Sequence, residues 1–359
     1  MGKSTTMRFY SRTRVVLTTT AVALAALVAA CSSPPPPPAP PPVVQAPPPP
    51  PPITLSSNLV ERASAFRLYM ARASAVSASF QNGDQIQASL KLGAAYEPKS
   101  FMNGAVAYAA VLALQDPTFV SSVREVAANP AQRQQMIANI FSNPSYAAVF
   151  KGSDSAAGLI IDTLSNDGLK VYMAGKAVKQ SAYDVQKASW SKAAVVDRDG
   201  RLASAKSLSS TPSLAESADV AVLQSASTGG QSLGLTPRAA PAPYQPVVIR
   251  GLAVAALAAL GAAGDDNLTS IDALSADPAT GNCLSMAKLN LYQCLAVSKP
   301  HYEDIFCLGQ HILMDTGACM IKAAGASLPP EPAPPPKPEP AKKTVAKKGS
   351  AKKSSAKKG

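Results

Sequence analysis

Two proline runs bound what this chain can fold into. Residues 34–52 hold fourteen prolines and residues 329–340 hold eight. Proline fixes φ, lacks an amide hydrogen and clashes with the preceding helical turn, so neither run suits a helix interior or a sheet ladder. Both read as polyproline II, and the first spans roughly 60 Å when extended at about 3.1 Å per residue. A stiff spacer is the simplest role for that run. A docking site for a proline-binding partner is the alternative, and no flanking specificity residue supports it. A packed core is therefore expected only between the two runs.

Charge follows the same division. The 359 residues carry a formal net charge of +12. Of the 34 cations, four (Lys3, Arg8, Arg12, Arg14) lie in residues 1–30 and eight in residues 341–359, where there is no acid; the other 22 face 22 acids. The body is neutral, and the basic character belongs to a leader and a tail. Aromatics make up only 5% of the chain while alanine abounds, a balance that favours lightly packed helices over a β-sandwich.

The leader has a basic start, then an apolar, uncharged stretch from Val15 to Val28. That is the length of a signal-peptide core and short for a membrane span. Val28-Ala29-Ala30-Cys31 follows and resembles the lipobox of bacterial lipoproteins, a likeness confined to residues 1–33. The resemblance implies a signal peptide over 1–30, cleavage before Cys31, a lipid thioether on its sulfur and an acylated amine. Ser32 stands where an aspartate would imply retention at the inner membrane, so the resemblance implies the outer membrane, facing the periplasm or the cell surface. Residues 31–56 become a lipidated cysteine plus spacer.

From residue 57 to 195 the pattern predicts a helical domain. Asn58 and Glu61 suggest a capped start, and Leu59, Ala63, Phe66, Met70, Ala73 and Phe80 follow the spacing of one buried helix face. Phe101 to Leu114 is apolar nearly all round, as a central helix would be. Asp116-Pro117, Asn129-Pro130 and Asn143-Pro144 each put a capping side chain before a proline suited to the first turn. Two amphipathic segments, Ala156–Leu164 and Leu169–Lys192, complete the domain. Residues 196–246, rich in Ser, Ala, Gly and Pro, read as a flexible connection with one weak helix near Ser213–Leu223. Residues 247–325 form a second helical part. It opens on the apolar run Val247 to Gly264, which Arg250 interrupts, so a buried helix fits better than a span.

Cys283, Cys294, Cys307 and Cys319 fall within 37 residues. Two helices, Asn282–Leu295 and Tyr302–Met320, are broken by Ser298-Lys299-Pro300-His301. Cysteines on one helix lie roughly 16–18 Å apart, beyond disulfide reach. In an antiparallel hairpin, Cys294 and Cys307 lie six and seven residues from Pro300, and Cys283 and Cys319 seventeen and nineteen. Nested pairing follows: Cys294–Cys307 and Cys283–Cys319. The layout is similar to the coiled-coil-helix hairpins with twin CX9C motifs, with wider gaps here. A metal site is the rival, since His311 follows Cys307 by one turn, but no close ligand pair is present. Neither a metal nor another cofactor is expected.

The tail, residues 326–359, repeats lysine pairs every five residues: Lys342, Lys343, Lys347, Lys348, Lys352, Lys353, Lys357 and Lys358. It resembles the lysine-rich tails of linker histones and of some bacterial nucleoid proteins. In an exported chain the same phosphate-neutralising chemistry points away from nucleic acid and to lipopolysaccharide, anionic lipid headgroups or peptidoglycan. A solubilising tail without a dedicated ligand is the plain alternative.

No nucleophile elbow, HExxH, phosphate loop or trusted carboxylate pair occurs, and no catalytic residue is assigned. His301, beside Glu303 and Asp304, is expected to be a solvated cap. The sequence thus predicts an all-α protein: a helical bundle with a C-terminal disulfide-stapled hairpin, flanked by disordered proline-rich and lysine-rich segments. Its expected role is a non-catalytic envelope lipoprotein bridging the membrane to a polyanionic component. The alternative is a helical adaptor in an envelope protein complex, with the tail incidental.

Overall fold

A computed structural model describes residues 49–330 and Gly359. The leader, Cys31, most of the first proline run and the lysine pairs of the tail lie outside the described residues.

Asx-proline pairs set the helix starts. Asp116 Oδ1 accepts from the Phe119 amide at 2.8 Å, and Asn129 Oδ1 from Ala131 at 3.0 Å and Gln132 at 3.1 Å. Asn143 Oδ1 accepts from Ser145 at 3.0 Å, opening the short 3₁₀ turn Pro144–Val149. In chain order the first helices are α1 (Ser57–Ser74), α2 (Gly83–Ala94), α3 (Pro98–Ala113), α4 (Pro117–Ala127), α5 (Pro130–Ser142) and α6 (Ser153–Asp184). After these come α7 (Ser189–Lys192), α8 (Arg198–Ser209), α9 (Ser217–Ser227), α10 (Pro246–Ala259), α11 (Leu268–Ser275) and α12 (Pro278–Val297). The final helix runs His301 to Ala323 as α13 (His301–Cys307), a π-helical turn (Leu308–Met314) and α14 (Asp315–Ala323). Among the described residues there is no strand, only isolated bridges at Leu55–Ala263 and Ala194–Pro300.

The two runs that are apolar all round, α3 and α10, pack against each other at the centre. Small residues allow this. An added Cβ on Gly251 of α10 would sit 2.5 Å from Ala109 Cβ of α3. The other side of α3 lies on α1, and α6 underlies both. Residues from α1 through α14 share one hydrophobic core, so the two helical parts on either side of residues 196–246 bury their apolar faces together.

Three local expectations change. Ser56, not Asn58, caps α1, its hydroxyl accepting from the Asn58 amide at 3.2 Å. The segment 156–164 and residues 169–184 of the next merge into the 32-residue α6, while residues 185–192 form a 3₁₀ turn and α7; α6 continues through Asn166-Asp167-Gly168, where Gly168 lies at a helix crossing described below. Residues 196–246 carry two helices, not one weak one. Polar anchors hold them, and hydrophobic periodicity cannot register such anchors. Asp197 caps α8 at the Gly200 amide, 2.8 Å away, and Arg198 Nε donates to the Ser298 carbonyl at 2.8 Å. Downstream, the Leu233 amide donates to Gln115 Oε1 at 3.0 Å and the Ala240 amide to the Asp154 carbonyl at 3.0 Å.

Candidate functional site

The hairpin of α12 and α13–α14 carries the expected nested disulfides. Cys294–Cys307 has a Cα–Cα distance of 5.6 Å and Cys283–Cys319 one of 5.8 Å, both within ordinary bridge geometry. Their unequal spacing has a structural resolution. Cys283 and Cys294 are eleven residues apart, which returns to the same face after three α-turns. Cys319 comes twelve residues after Cys307, and in a regular α-helix that overshoots three turns by about 120°. The π turn between them takes in one extra residue and brings Cys319 back onto the face of Cys307.

The same extra residue aligns a second feature. Gly168 and Gly175 of α6, seven apart, meet Gly317 and Gly309, eight apart, on the hairpin. An added Cβ at Gly175 would lie 2.6 Å from the Met314 amide nitrogen, and one at Gly317 would lie 2.6 Å from both the Gly168 carbonyl and the Tyr172 nitrogen. The hairpin therefore docks on α6 backbone to backbone.

Its turn is held by a buried ion pair. Arg201 Nη1 bonds Asp304 Oδ1, with both side chains almost wholly buried. Ser298 Oγ donates to the same carboxylate at 2.8 Å and Gln87 Nε2 at 3.1 Å. His301 and Asp304 thus do not form the solvated cap expected from the sequence. The His301 ring packs closely on Gly83, with its Nδ1 buried and unpartnered. His311 Nδ1 faces Asp315 Oδ2 at 3.4 Å, and Cys307 beside it belongs to a disulfide.

Lys288 is a cation that sequence reasoning missed. It lies on α12, 2% exposed, with Nζ donating to the Ala94 carbonyl at 2.9 Å and standing 3.3 Å from the Tyr96 ring centroid. Burial pushes its ammonium well below the ordinary lysine range. Its place as the one charge on α12 could have drawn attention to it. Among the described residues, no group of three or more His, Cys, Asp or Glu stands together to hold a metal ion.

The remaining features are where the described body begins and ends. Pro51 packs on Gly261, whose φ of +71° favours glycine. Thr54 and Ser56 then donate their amides to Ala258 and Ala263 at 3.0 and 2.8 Å. The entering chain is clamped at the C-terminal end of α10. At the other terminus, a Cβ on Gly325 would lie 3.2 Å from Cγ of Gln245, the residue that opens α10. The two ends are thus set apart along α10, a helix of 14 residues and hence about 21 Å long. Cys31 and the eight tail lysines lie beyond these points, outside the described residues. Compared with known proteins, the chain matches no family model, no curated protein and no solved structure.

Proposed function

We propose that this chain is a non-catalytic envelope lipoprotein, anchored by lipid on Cys31, that bridges the outer membrane to an anionic envelope polymer through its eight paired tail lysines. The observation that carries the reading is that the described body begins at one end of the buried α10 and closes near the other, with a proline-rich stretch of sequence next to each point. A body built this way suits two separate attachments. The nested disulfides agree with an oxidising compartment, and the neutral body leaves polyanion attraction to the tail.

Retention on isolated peptidoglycan, for the full chain and for a form lacking residues 341–359, tests the bridge. The full chain is retained at low salt and released as salt screens the lysines, while the shortened chain washes off. Equal retention of both removes the wall attachment.

The adaptor reading has one observation of its own. Met286, Leu289 and Val297 of α12 are exposed on a helix whose only charge is buried. An envelope partner that is lost on Met286→Glu and Leu289→Glu but kept on loss of the tail would favour it.

A further inference from the structure

The outer face of α12 is ordered in a way that a solvated helix face does not need. Ala279, Asn282, Met286, Leu289, Gln293 and Ala296 all face solvent, with Met286 53% and Leu289 48% exposed. They follow one another at steps of three, four, three, four and three residues, the spacing of a coiled-coil seam. The opposite side of the helix, with Leu284, Leu291 and Leu295, is buried in the body. No charge on α12 reaches solvent, because its only charged residue, Lys288, is 2% exposed. Helices α1, α2, α6 and α8 differ: Glu61, Asp84, Lys170 and Lys206 are among the charges they turn outward, as solvated helix faces do.

The seam is also a palindrome. Read from either end it runs alanine, side-chain amide, large apolar, large apolar, side-chain amide, alanine. The pairs Ala279 with Ala296, Asn282 with Gln293 and Met286 with Leu289 share one centre, between Ala287 and Lys288, which is also the midpoint of Pro278–Val297. A two-fold contact between identical surfaces imposes this symmetry, since every pairing occurs twice; an unrelated partner imposes none. Such a contact also sets residues near the axis against their own copies, where like charges repel. Here the one charge near the axis, Lys288, is turned into the core, and Asn290 and Tyr292 flanking the seam are uncharged.

We propose that α12 pairs antiparallel with α12 of a second copy of this chain, about a two-fold axis at the helix midpoint. Met286 of each copy packs on Leu289 of the other. Asn282 meets Gln293, and their amides can donate to and accept from each other. Ala279 meets Ala296, and these small side chains let the helix ends approach. The pairing needs neither the lipid nor the tail, so its failure would leave the bridging role intact. It occupies the face that the adaptor reading offers to a different protein.

Sedimentation equilibrium of the full chain tests it, in density-matched detergent so that attached lipid does not itself drive association. The seam is only about 26 Å long, shorter than a standard interface provides, so loading runs from about 10 μM to about 1 mM. The wild type should pass from monomer to dimer within that range. Leu289→Arg and Met286→Glu should each weaken dimerisation at least about tenfold, because like charges then meet at the axis, and should leave the circular dichroism spectrum unchanged. An equal mixture of the two variants should dimerise again, since the antiparallel register sets the introduced carboxylate against the introduced guanidinium. A wild type that stays monomeric, a dimer indifferent to Leu289→Arg, or a mixture that stays monomeric overturns the proposal; the first of these leaves the face to a different protein.

Discussion

Replacing Lys288 by methionine isolates the buried ammonium. Methionine has the length to follow the same path beside Tyr96. The one hydrogen bond lost is Nζ to the Ala94 carbonyl, which still accepts from Ser209 Oγ at 3.1 Å, so no buried acceptor is orphaned. Burial holds the folded-state pKa well below the ordinary value of 10.5. Between those two values the unfolded chain binds a proton that the folded chain does not. Stability of the wild type therefore rises with pH across that window, by about 1.4 kcal/mol per pH unit. Lys288→Met lacks this dependence, so its stability advantage shrinks as pH rises through the window. Above about pH 10 the buried tyrosines intervene in both proteins. Tyr69, Tyr96 and Tyr108 all have their phenols raised by burial first of all, and stability falls as the unfolded chain loses those protons. Urea unfolding followed by circular dichroism, with the disulfides intact, between about pH 8 and about pH 10, gives the comparison. Parallel pH profiles for the two proteins would refute the reasoning, because they would mean that the Tyr96 ring and the Ala94 carbonyl keep the ammonium charged in the fold.

Three further outcomes are expected from the hairpin. Gly317→Ala should destabilise by about 3 kcal/mol or more, the upper end of overpacking, since its Cβ would press on the backbone of α6; a change under about 1 kcal/mol in chemical denaturation would contradict the backbone docking. Deleting Gln310 should turn the π turn into regular α-helix and restore an eleven-residue cysteine spacing, so non-reducing peptide mapping should find both nested bridges. Deleting Leu289, which leaves Cys283 and Cys294 ten residues apart, should scramble them. Removing Cys283–Cys319, with its separation of 36, should cost about 4 kcal/mol, and removing Cys294–Cys307, with its separation of 13, about 3 kcal/mol, an order readable from the unfolding midpoints of the paired Cys→Ser variants.

Much of the fold is legible because its signals are local. An Asx side chain before proline states a helix start, and Asp116, Asn129 and Asn143 all act as written. Residues 101–114 and 247–260 are apolar nearly all round and lie at the centre. The nested disulfides follow from counting outward from Pro300. What escaped the sequence depends on distant partners. Helix α8 has little apolar face of its own and is fixed by Asp197, Arg198 and Arg201, the last reaching Asp304 more than a hundred residues on. Gly168 looks like a break in α6 until Gly317 is placed against it. The π turn has no local marker, and the twelve-residue spacing of Cys307 and Cys319 was its trace.

The central claim is attachment at both ends, and the lipid end admits the most direct measurement. Cells expressing the wild type or Cys31→Ser are fed labelled fatty acid, and the protein is isolated from the membrane fraction. The account predicts label on the wild type and none on Cys31→Ser, with the variant released from the membrane. A wild-type protein carrying no label would contradict it.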